Sequence, residues 1–489
     1  MASGFGNIKT NSPESLFFLC LKYLAGNLDV LCQKTREGYA LRENVAVPSV
    51  FWKLIIETCQ KNGMDINDSF ANIFKNDTKT KFKSLSLRNS SISINGLELF
   101  LRHNLYELTL IDCDSLSYEM FNILFDYAHN LEMLNIDAGI ITTKHSENSS
   151  KRLCRIVQNI NLKAPNLKHL VLRKLVISPY FSLDNTKLNH EFRVLMMKLE
   201  ILDFSYSLGI DCFYYNMCNP TNLHTLILFN AQNLEKNDTI LHICTLKTLV
   251  VLDISQSNYS PNRGIFKDEN KTLEHIVKSL PELMSLDISG TNLAGKGIAE
   301  NPVHESLNGT HGKLYDIPGL RTRANKPFEF LGLYHTMYNA CRRQLIPAKT
   351  ISGNANEEQL LIAAGLYMDR PSQIKNILYD VKCLVKEQQW TKIDEVLDIV
   401  LEVFTRYTNK KSIQMLCIIT INDIVVFYKN SLLLNNIHVQ NKIIRALLTG
   451  INCYNYSNDL IRQGTMTFLL SLGLAHNGNN IKQTGTRYV

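Results

Sequence analysis

A recurring pattern of leucines dominates the middle of the chain. Seven copies of Leu-x-x-Leu-x-Leu, in which Ile or Phe can take the last position, lie between Leu105 and Ile288. The last two apolar residues of each copy flank one residue that is usually polar, and this alternation predicts a short strand with one buried face. Written by their three apolar positions, the copies are Leu105/Leu108/Leu110, Leu131/Leu134/Ile136, Leu167/Leu170/Leu172, Leu199/Leu202/Phe204, Leu223/Leu226/Leu228, Leu249/Leu252/Ile254 and Leu283/Leu286/Ile288.

Weaker copies of the same pattern flank these seven, at Phe82/Leu85/Leu87 and Phe328/Leu331/Leu333. The shorter spacings between copies match the period of about 20–29 residues of leucine-rich repeats, and the longer spacings require insertions. One coil cannot bury its apolar face alone, so the coils must stack to form a core. We therefore expect an α/β leucine-rich-repeat solenoid over residues 79–335. Its polar insertions are predicted at 137–165, at 256–278 and, as a long loop, at 291–327.

The spacing of the apolar positions changes after Leu333. Apolar residues then recur every three or four positions, as at Val396, Ile399 and Val400, which indicates helices. Consecutive helices without strands predict an all-α armadillo-like (ARM/HEAT) helical array over residues 336–476. The Asn-, Gly- and Thr-rich residues that follow are expected to form a disordered tail over 477–489. The helices are predicted at 355–367, 372–388, 392–407, 412–428, 439–452 and 460–474.

Composition limits the class of protein. The chain has 489 residues, 45% of them hydrophobic, and a formal net charge of only +7 without a dense basic block, so a nucleic-acid partner is not expected. The 12 cysteines show no Cys-x-x-Cys spacing, which suits a reducing compartment. No apolar run is long enough to span a membrane, and residues 1–11 lack the features of a secretory signal. We expect a soluble protein of the cytoplasm or nucleus.

Motifs of catalysis and cofactor binding are missing from the sequence. It contains no P-loop, no dinucleotide-binding glycine motif after a strand, no His-Glu-x-x-His and no Gly-x-Ser-x-Gly. Potential metal-binding side chains do not follow any established ligand spacing. We therefore expect no catalytic residues, no metal and no cofactor.

A strong helix candidate precedes the repeats, at residues 11–33. Ser12 can cap it and Pro13 fits its first turn. Leu16, Cys20 and Leu24 fall on one face of this helix. That face can pack on the first repeat as a cap, or it can bind a partner protein, and the helix alone does not distinguish these interpretations.

Two short strings near the amino end resemble interaction boxes of cullin-RING substrate receptors. Residues 15–24 resemble the elongin-C-binding box, in which a large aliphatic anchor precedes a small thiol by one helical turn; Leu16, Cys20 and Leu24 occupy its defining positions. Residues 47–55 resemble the cullin-two box, an aliphatic residue and a proline followed by two apolar positions one turn apart. The cullin-binding positions that this resemblance assigns are Val47, Pro48, Phe51 and Ile55.

Essentially the whole chain resembles the Zyg-eleven/Zer-one family of substrate receptors of cullin-two RING ubiquitin ligases. The residues that carry the resemblance include 13–16, 105–108, 283–290, 330–333 and 346–359. The family implies a helical elongin- and cullin-binding segment, here at 11–78, and as partners elongin B/C, cullin-two and protein substrates. Its members recognise an N-terminal glycine through later armadillo repeats that have no counterpart before Val489. We therefore expect either a shortened form or a divergent member that recognises substrates through its own repeats.

Two alternatives to this hypothesis remain open. Leucine-rich repeats also accompany F-box-type receptors, which bind Skp-like adaptors. A scaffold without any link to a ligase would use the sheet of its repeats to bind a protein, and its N-terminal helices would only cap the solenoid.

Overall fold

The structure is a computed structural model that describes most of the chain up to Tyr428. The described residues are 16–61, 63–76, 80–137, 148–176, 186–210, 222–257, 264–297, 316–387, 390–428, 439–441 and 443–444. They divide into two compact units, the first ending at Ile351 and the second beginning at Ser352.

The described part of the first unit begins with helix α1, Leu16–Gly26, which ends earlier than the helix predicted at 11–33. The helix ends at Gly26 because glycine has low helix propensity. The Asn27 side chain then donates to the Tyr23 carbonyl at 2.9 Å and gives this last-turn acceptor a hydrogen-bond partner. A 3-10 turn follows at Leu28–Val30. Ser12 and Pro13 lie outside the described residues.

A β-hairpin that the sequence did not predict follows α1. Strand β1, Cys32–Thr35, pairs antiparallel with β2, Gly38–Leu41. The segment at 11–78 is therefore not purely helical. Helix α2, Ser49–Lys61, and the short helix α3, Asp68–Ala71, complete it.

Aromatic packing joins this segment to the first repeat. The Trp52 ring, fully buried on α2, meets the Phe74 ring edge-on with centroids 4.8 Å apart. Phe74 in turn packs against Phe82 and Phe100 of the first coil, at 5.0 and 4.8 Å. Buried aromatic pairs of this kind add stabilisation beyond their buried area, so α2 closes the amino end of the solenoid core.

The predicted leucine-rich repeats are confirmed by a parallel sheet in which strands β3 to β12 follow one another in chain order. Motif residues pair across strands in register, as Leu85 with Leu108 and Leu252 with Leu286, and they are buried. The last strand, β12, was not predicted. The strands are β3 Ser84–Arg88, β4 Glu107–Ile111, β5 Met133–Asp137, β6 His169–Arg173, β7 Ile201–Asp203, β8 Thr225–Ile227, β9 Val251–Asp253, β10 Ser285–Asp287, β11 Phe328–Gly332 and β12 Ala348–Ser352.

Helices between the strands close the coils, including two in regions predicted as polar insertions. The helix within 137–165 is polar on one side, but Leu153, Val157 and Ile160 recur at helical spacing and are buried. The helices of this unit are α4 Ile94–Leu101, α5 Met120–Asp126, α6 Asn148–Lys163, α7 Thr186–Lys198, α8 Asn237–Ile243 and α9 Glu269–Ser279.

Part of the predicted loop at 291–327 is ordered against the repeats. A 3-10 helix at Pro318–Arg323 packs with α9, and Leu320 is buried. The Arg343 guanidinium donates to the carbonyls of Ala294 and Asp316, at 3.1 and 3.4 Å. One side chain therefore joins the two described ends of this region.

Four helices of the second unit have both ends among the described residues, and their bounds lie close to those predicted; residues 439–441 and 443–444 are also helical. The division at Ser352 lies later than the predicted start of the array at 336, because β12 adds a further strand to the sheet after β11. Membership of the armadillo class stays a prediction. The described residues exclude the predicted helix at 460–474, most of that at 439–452 and the predicted tail at 477–489. The helices are α10 Glu357–Leu366, α11 Pro371–Lys386, α12 Ile393–Arg406 and α13 Lys411–Phe427.

None of the helices in the described part of the chain combines the length and apolar character that crossing a bilayer requires.

Candidate protein-docking surface

Helix α1 presents an apolar face to solvent as well as one to the core. Leu21 and Ala25, one turn apart, are 5% and 1% exposed and point into the first unit. Each residue advances about 100° around a helix, so Leu16 lies on the opposite side from these two. Its side chain is 76% exposed, and Cys20 is also exposed. A large apolar residue and a thiol one turn apart are therefore accessible on one helix.

The third position of the predicted elongin-binding set lies differently from the first two. Leu24 is half-buried, because it falls on the flank of α1 between the exposed face and the residues that enter the core. Leu16 and Cys20 are brought together on the accessible surface, and Leu24 borders it.

Helix α1 is held in place through its contacts with α2. The Cys59 thiol donates to the Ala25 carbonyl across 3.6 Å, and burial raises the pKa of this thiol to about 12, so it stays protonated. At the start of the helix, the ring of Phe17 lies 5.4 Å from that of Phe51, centroid to centroid. The two contacts fix both ends of α1 without covering Leu16 or Cys20.

The predicted cullin-binding residues divide between surface and core. Pro48 is exposed, and Val47 and Phe51 are half-buried at the start of α2. Ile55 has no exposed surface and packs inside the unit, so it supports α2 and does not offer a side chain to a partner. The accessible part of this set is therefore Val47, Pro48 and Phe51.

Other apolar side chains enlarge the surface beyond the predicted positions. Leu19 is 49% exposed, Tyr23 is 60% exposed and Phe17 is partly exposed. Monomeric proteins rarely expose contiguous apolar patches without a function, so this concentration on one helix indicates a binding surface. The sequence shows that these residues are apolar, but it does not show that they are exposed, because their exposure depends on which face of α1 packs against α2.

Charged groups attach α2 to the repeats beside this surface. The Lys53 ammonium lies 3.2 Å from a carboxylate oxygen of Glu107, and the Ser84 hydroxyl donates to the same oxygen at 2.6 Å. The hydroxyl bond, and then the lysine charge, hold the pKa of Glu107 below its ordinary value. This cluster connects α2 with strands β3 and β4.

Metal-binding geometry is not found on the described residues, whose His, Cys, Asp and Glu side chains form no group of three that could hold an ion. The cysteines among them are free thiols, and only Cys20 and Cys383 are exposed. The arrangement on α1 and α2 therefore offers apolar contact surface for a protein.

Comparison with known proteins identifies the repeats. A family described as "Zer-1-like, Leucine-rich repeats" matches residues 192–336. The protein zer-1 homolog of Drosophila melanogaster is 32% identical over 465 residues, which cover 93% of this chain and 56% of the fly protein.

More distant relatives carry related names. The Zyg eleven-related protein 1 of Caenorhabditis elegans is 28% identical, covering 62% of this chain and 33% of its own length. The protein zer-1 homolog of Mus musculus is 24% identical, with 91% of this chain and 59% of the mouse protein covered. The chain thus spans less than two thirds of the length of these relatives. The matches along nearly all of this chain, together with its leucine-rich sheet, show that it belongs to the Zer-1 and Zyg eleven-related family.

Proposed function

We propose that this protein is the substrate-recognition subunit of a cullin-two–elongin B/C ubiquitin ligase, which promotes the ubiquitination and proteasomal degradation of the proteins it binds. The observation that carries the proposal is the exposure of Leu16 and Cys20 on one face of α1, next to the accessible start of α2. Family membership and the resemblance of both strings to interaction boxes support it.

The role of α1 in this proposal is to enter a groove of elongin C. An amphipathic helix binds such a groove through apolar anchors at helical spacing, and a large side chain in a pocket gives most of the binding energy. Leu16 is the anchor. Cys20 is small enough to let the partner backbone approach, and Leu24 closes the contact from the flank. Val47, Pro48 and Phe51 at the start of α2 contact cullin-two.

Chemistry is left to other subunits of the ligase. The receptor contributes proximity, because it holds a substrate lysine near a charged conjugating enzyme. The leucine-rich sheet and the helices of the second unit are the surfaces proposed to bind substrate proteins. Recognition of an N-terminal glycine rests on the family resemblance alone. Such an assembly would act in the cytoplasm or nucleus.

The experiment that tests the proposal measures co-purification with recombinant elongin B/C. Leu16→Ala combined with Cys20→Ala should abolish capture, since truncating a buried interface anchor typically costs about 2 kcal/mol or more. The melting temperature should stay within a degree or two of wild type, because both side chains are exposed. Leu162→Ala on α6 is a matched control, because Leu162 is a similarly exposed leucine, at 79%, and belongs to the repeats rather than to α1 or α2.

The two alternatives give different results when a Skp-like adaptor is tested beside elongin B/C in the same co-purification. Capture of a Skp-like adaptor in place of elongin B/C would assign the F-box type of receptor. A scaffold without a ligase link would bind neither adaptor, and wild-type protein that fails to capture elongin B/C would reject the proposal.

A further inference from the structure

The exposed apolar face of α1 includes Leu16, but its centre is rotated around the helix axis away from Cys20 and Leu24, the other two positions of the predicted box. At about 100° per residue, Leu16, Leu19 and Tyr23 fall within about 60° of one another around the helix axis. Cys20 lies at the edge of this group, and Leu24 lies about 100° from Tyr23, on the side that turns toward α2. The order of exposure agrees, because Leu16, Leu19 and Tyr23 are exposed and Leu24 is half-buried.

The orientation of α1 follows from contacts on its other side. Leu21 and Ala25 enter the core, and the Cys59 thiol donates to the Ala25 carbonyl. The Phe17 and Phe51 rings meet on the flank that also carries Leu24. These contacts leave α1 no freedom to rotate Leu24 outward without breaking the packing of Ala25.

We infer that Leu19 and Tyr23 are additional contact residues for the adaptor proposed above, and that Tyr23 contributes more to its affinity than Leu24 does. This inference rests on the proposed function. A groove that takes Leu16 and Cys20 must cover the face between them and Tyr23, because Leu19 and Tyr23 neighbour Leu16 on the same surface. The aromatic ring of Tyr23 offers a large, rigid contact area, a property typical of interface hot spots.

The occupant of this face is the same adaptor, because Leu19 and Tyr23 lie beside Leu16 on one exposed side of α1. The surface proposed for cullin-two begins where α1 meets α2. The Phe17–Phe51 contact lies at this junction. A helix groove that encloses a wide arc of α1 fits this surface.

The test compares dissociation constants for recombinant elongin B/C, measured by titration calorimetry with the full chain. Leu19→Ala and Tyr23→Ala should each weaken binding by about tenfold or more, with melting temperatures close to wild type. Tyr23→Phe should bind nearly as wild type, because the ring makes the contact. Leu24→Ala should weaken binding less than Tyr23→Ala and should lower the melting temperature, since Leu24 packs on its own chain. Leu162→Ala is the control.

Three results would overturn the inference. If wild type binds and the Leu16→Ala/Cys20→Ala variant does not, while Leu19→Ala and Tyr23→Ala bind as wild type, the proposed function stands and the inference fails. If wild type does not bind elongin B/C, both fail. If Tyr23→Ala leaves the dissociation constant for elongin B/C unchanged but converts a self-associated form to monomer in sedimentation, the face binds a second copy of this chain.

Discussion

Aspartate side chains organise the carboxyl ends of three strands at the scale of single residues. In each case an Asp Oδ1 accepts the backbone N–H of a serine two residues later, as between Asp287 and Ser289 at 3.0 Å. These carboxylates are almost fully buried, so the bonds satisfy groups that would otherwise be costly to bury. The leucine pattern hides this feature, because it treats the position between two apolar residues as simply polar. The pairs are Asp203/Ser205, Asp253/Ser255 and Asp287/Ser289.

Gly332 allows the neighbouring strand to lie against one of these aspartates. A Cβ added to it would lie 2.0 Å from Oδ1 of Asp287 and 3.1 Å from its Cα, so the buried Asp287 carboxylate that accepts the Ser289 N–H would have to shift. Gly332→Ala should therefore lower the free energy of unfolding of the first unit by about 1–3 kcal/mol. Gly26→Ala, where nothing lies within 4 Å of the added carbon, is the control and should change it little. Urea denaturation measures both, and equal stability of the two variants would contradict the packing described here.

The carboxyl of Glu107 gives a pH-dependent contribution to stability. Its pKa is lowered in the folded state by the Ser84 hydroxyl and then by Lys53, so the folded protein releases the proton more readily than the unfolded chain. The resulting stabilisation is present above the ordinary value of 4.5 and is lost as the pH falls through the lower folded value. The melting temperature of wild type should exceed that of Glu107→Gln at pH 6, and the difference should shrink toward pH 3. A constant difference would exclude this origin.

At the scale of elements, the sequence predicted the strands better than the segments between them. The repeated leucines define strands, because stacking of the coils buries these leucines regardless of the length or composition of the segment that joins two strands. The β1–β2 hairpin was missed, since its strands are four residues each and its turn at Arg36 and Glu37 has no turn signature. Helix α6 was assigned to an insertion because its exposed side is polar. Which face of α1 is buried could not be predicted, because both of its faces are apolar.

The second unit contains an inter-helix cap that can be tested separately. Carboxylate oxygens of Glu357, in the first turn of α10, accept the backbone N–H groups of Thr391 and Lys392 just before α12. They satisfy donors at the amino end of α12, so Glu357→Ala should destabilise this end by about 1 kcal/mol. Amides in the first turn of Ile393–Arg406 should then exchange faster with deuterium, by roughly fivefold.

The adjacent residue provides the matched control for this cap. Glu358 is exposed in the same turn of α10, so Glu358→Ala removes a similar charge without removing the bonds to Thr391 and Lys392. Equal exchange rates in the two variants would show that the cap does not stabilise α12.

At the scale of the whole molecule, the proposed function divides its tasks between regions of the chain. In that proposal the amino-terminal helices bind the adaptor, and the leucine-rich repeats and the second unit bind substrate proteins. The sequence predicted the leucine-rich repeats and the family, and both are confirmed. The distribution of the predicted contact residues between surface and core required the structure, because Leu16 and Ile55 are equally apolar in sequence but 76% and 0% exposed.

Hydrogen exchange on the full chain, with and without a saturating amount of elongin B/C, tests the central claim most directly. The account predicts that the adaptor slows exchange of the amides in Leu16–Gly26 and leaves those of Asn148–Lys163 unchanged. Unchanged exchange in Leu16–Gly26, with protection absent or confined to the repeats, would contradict it.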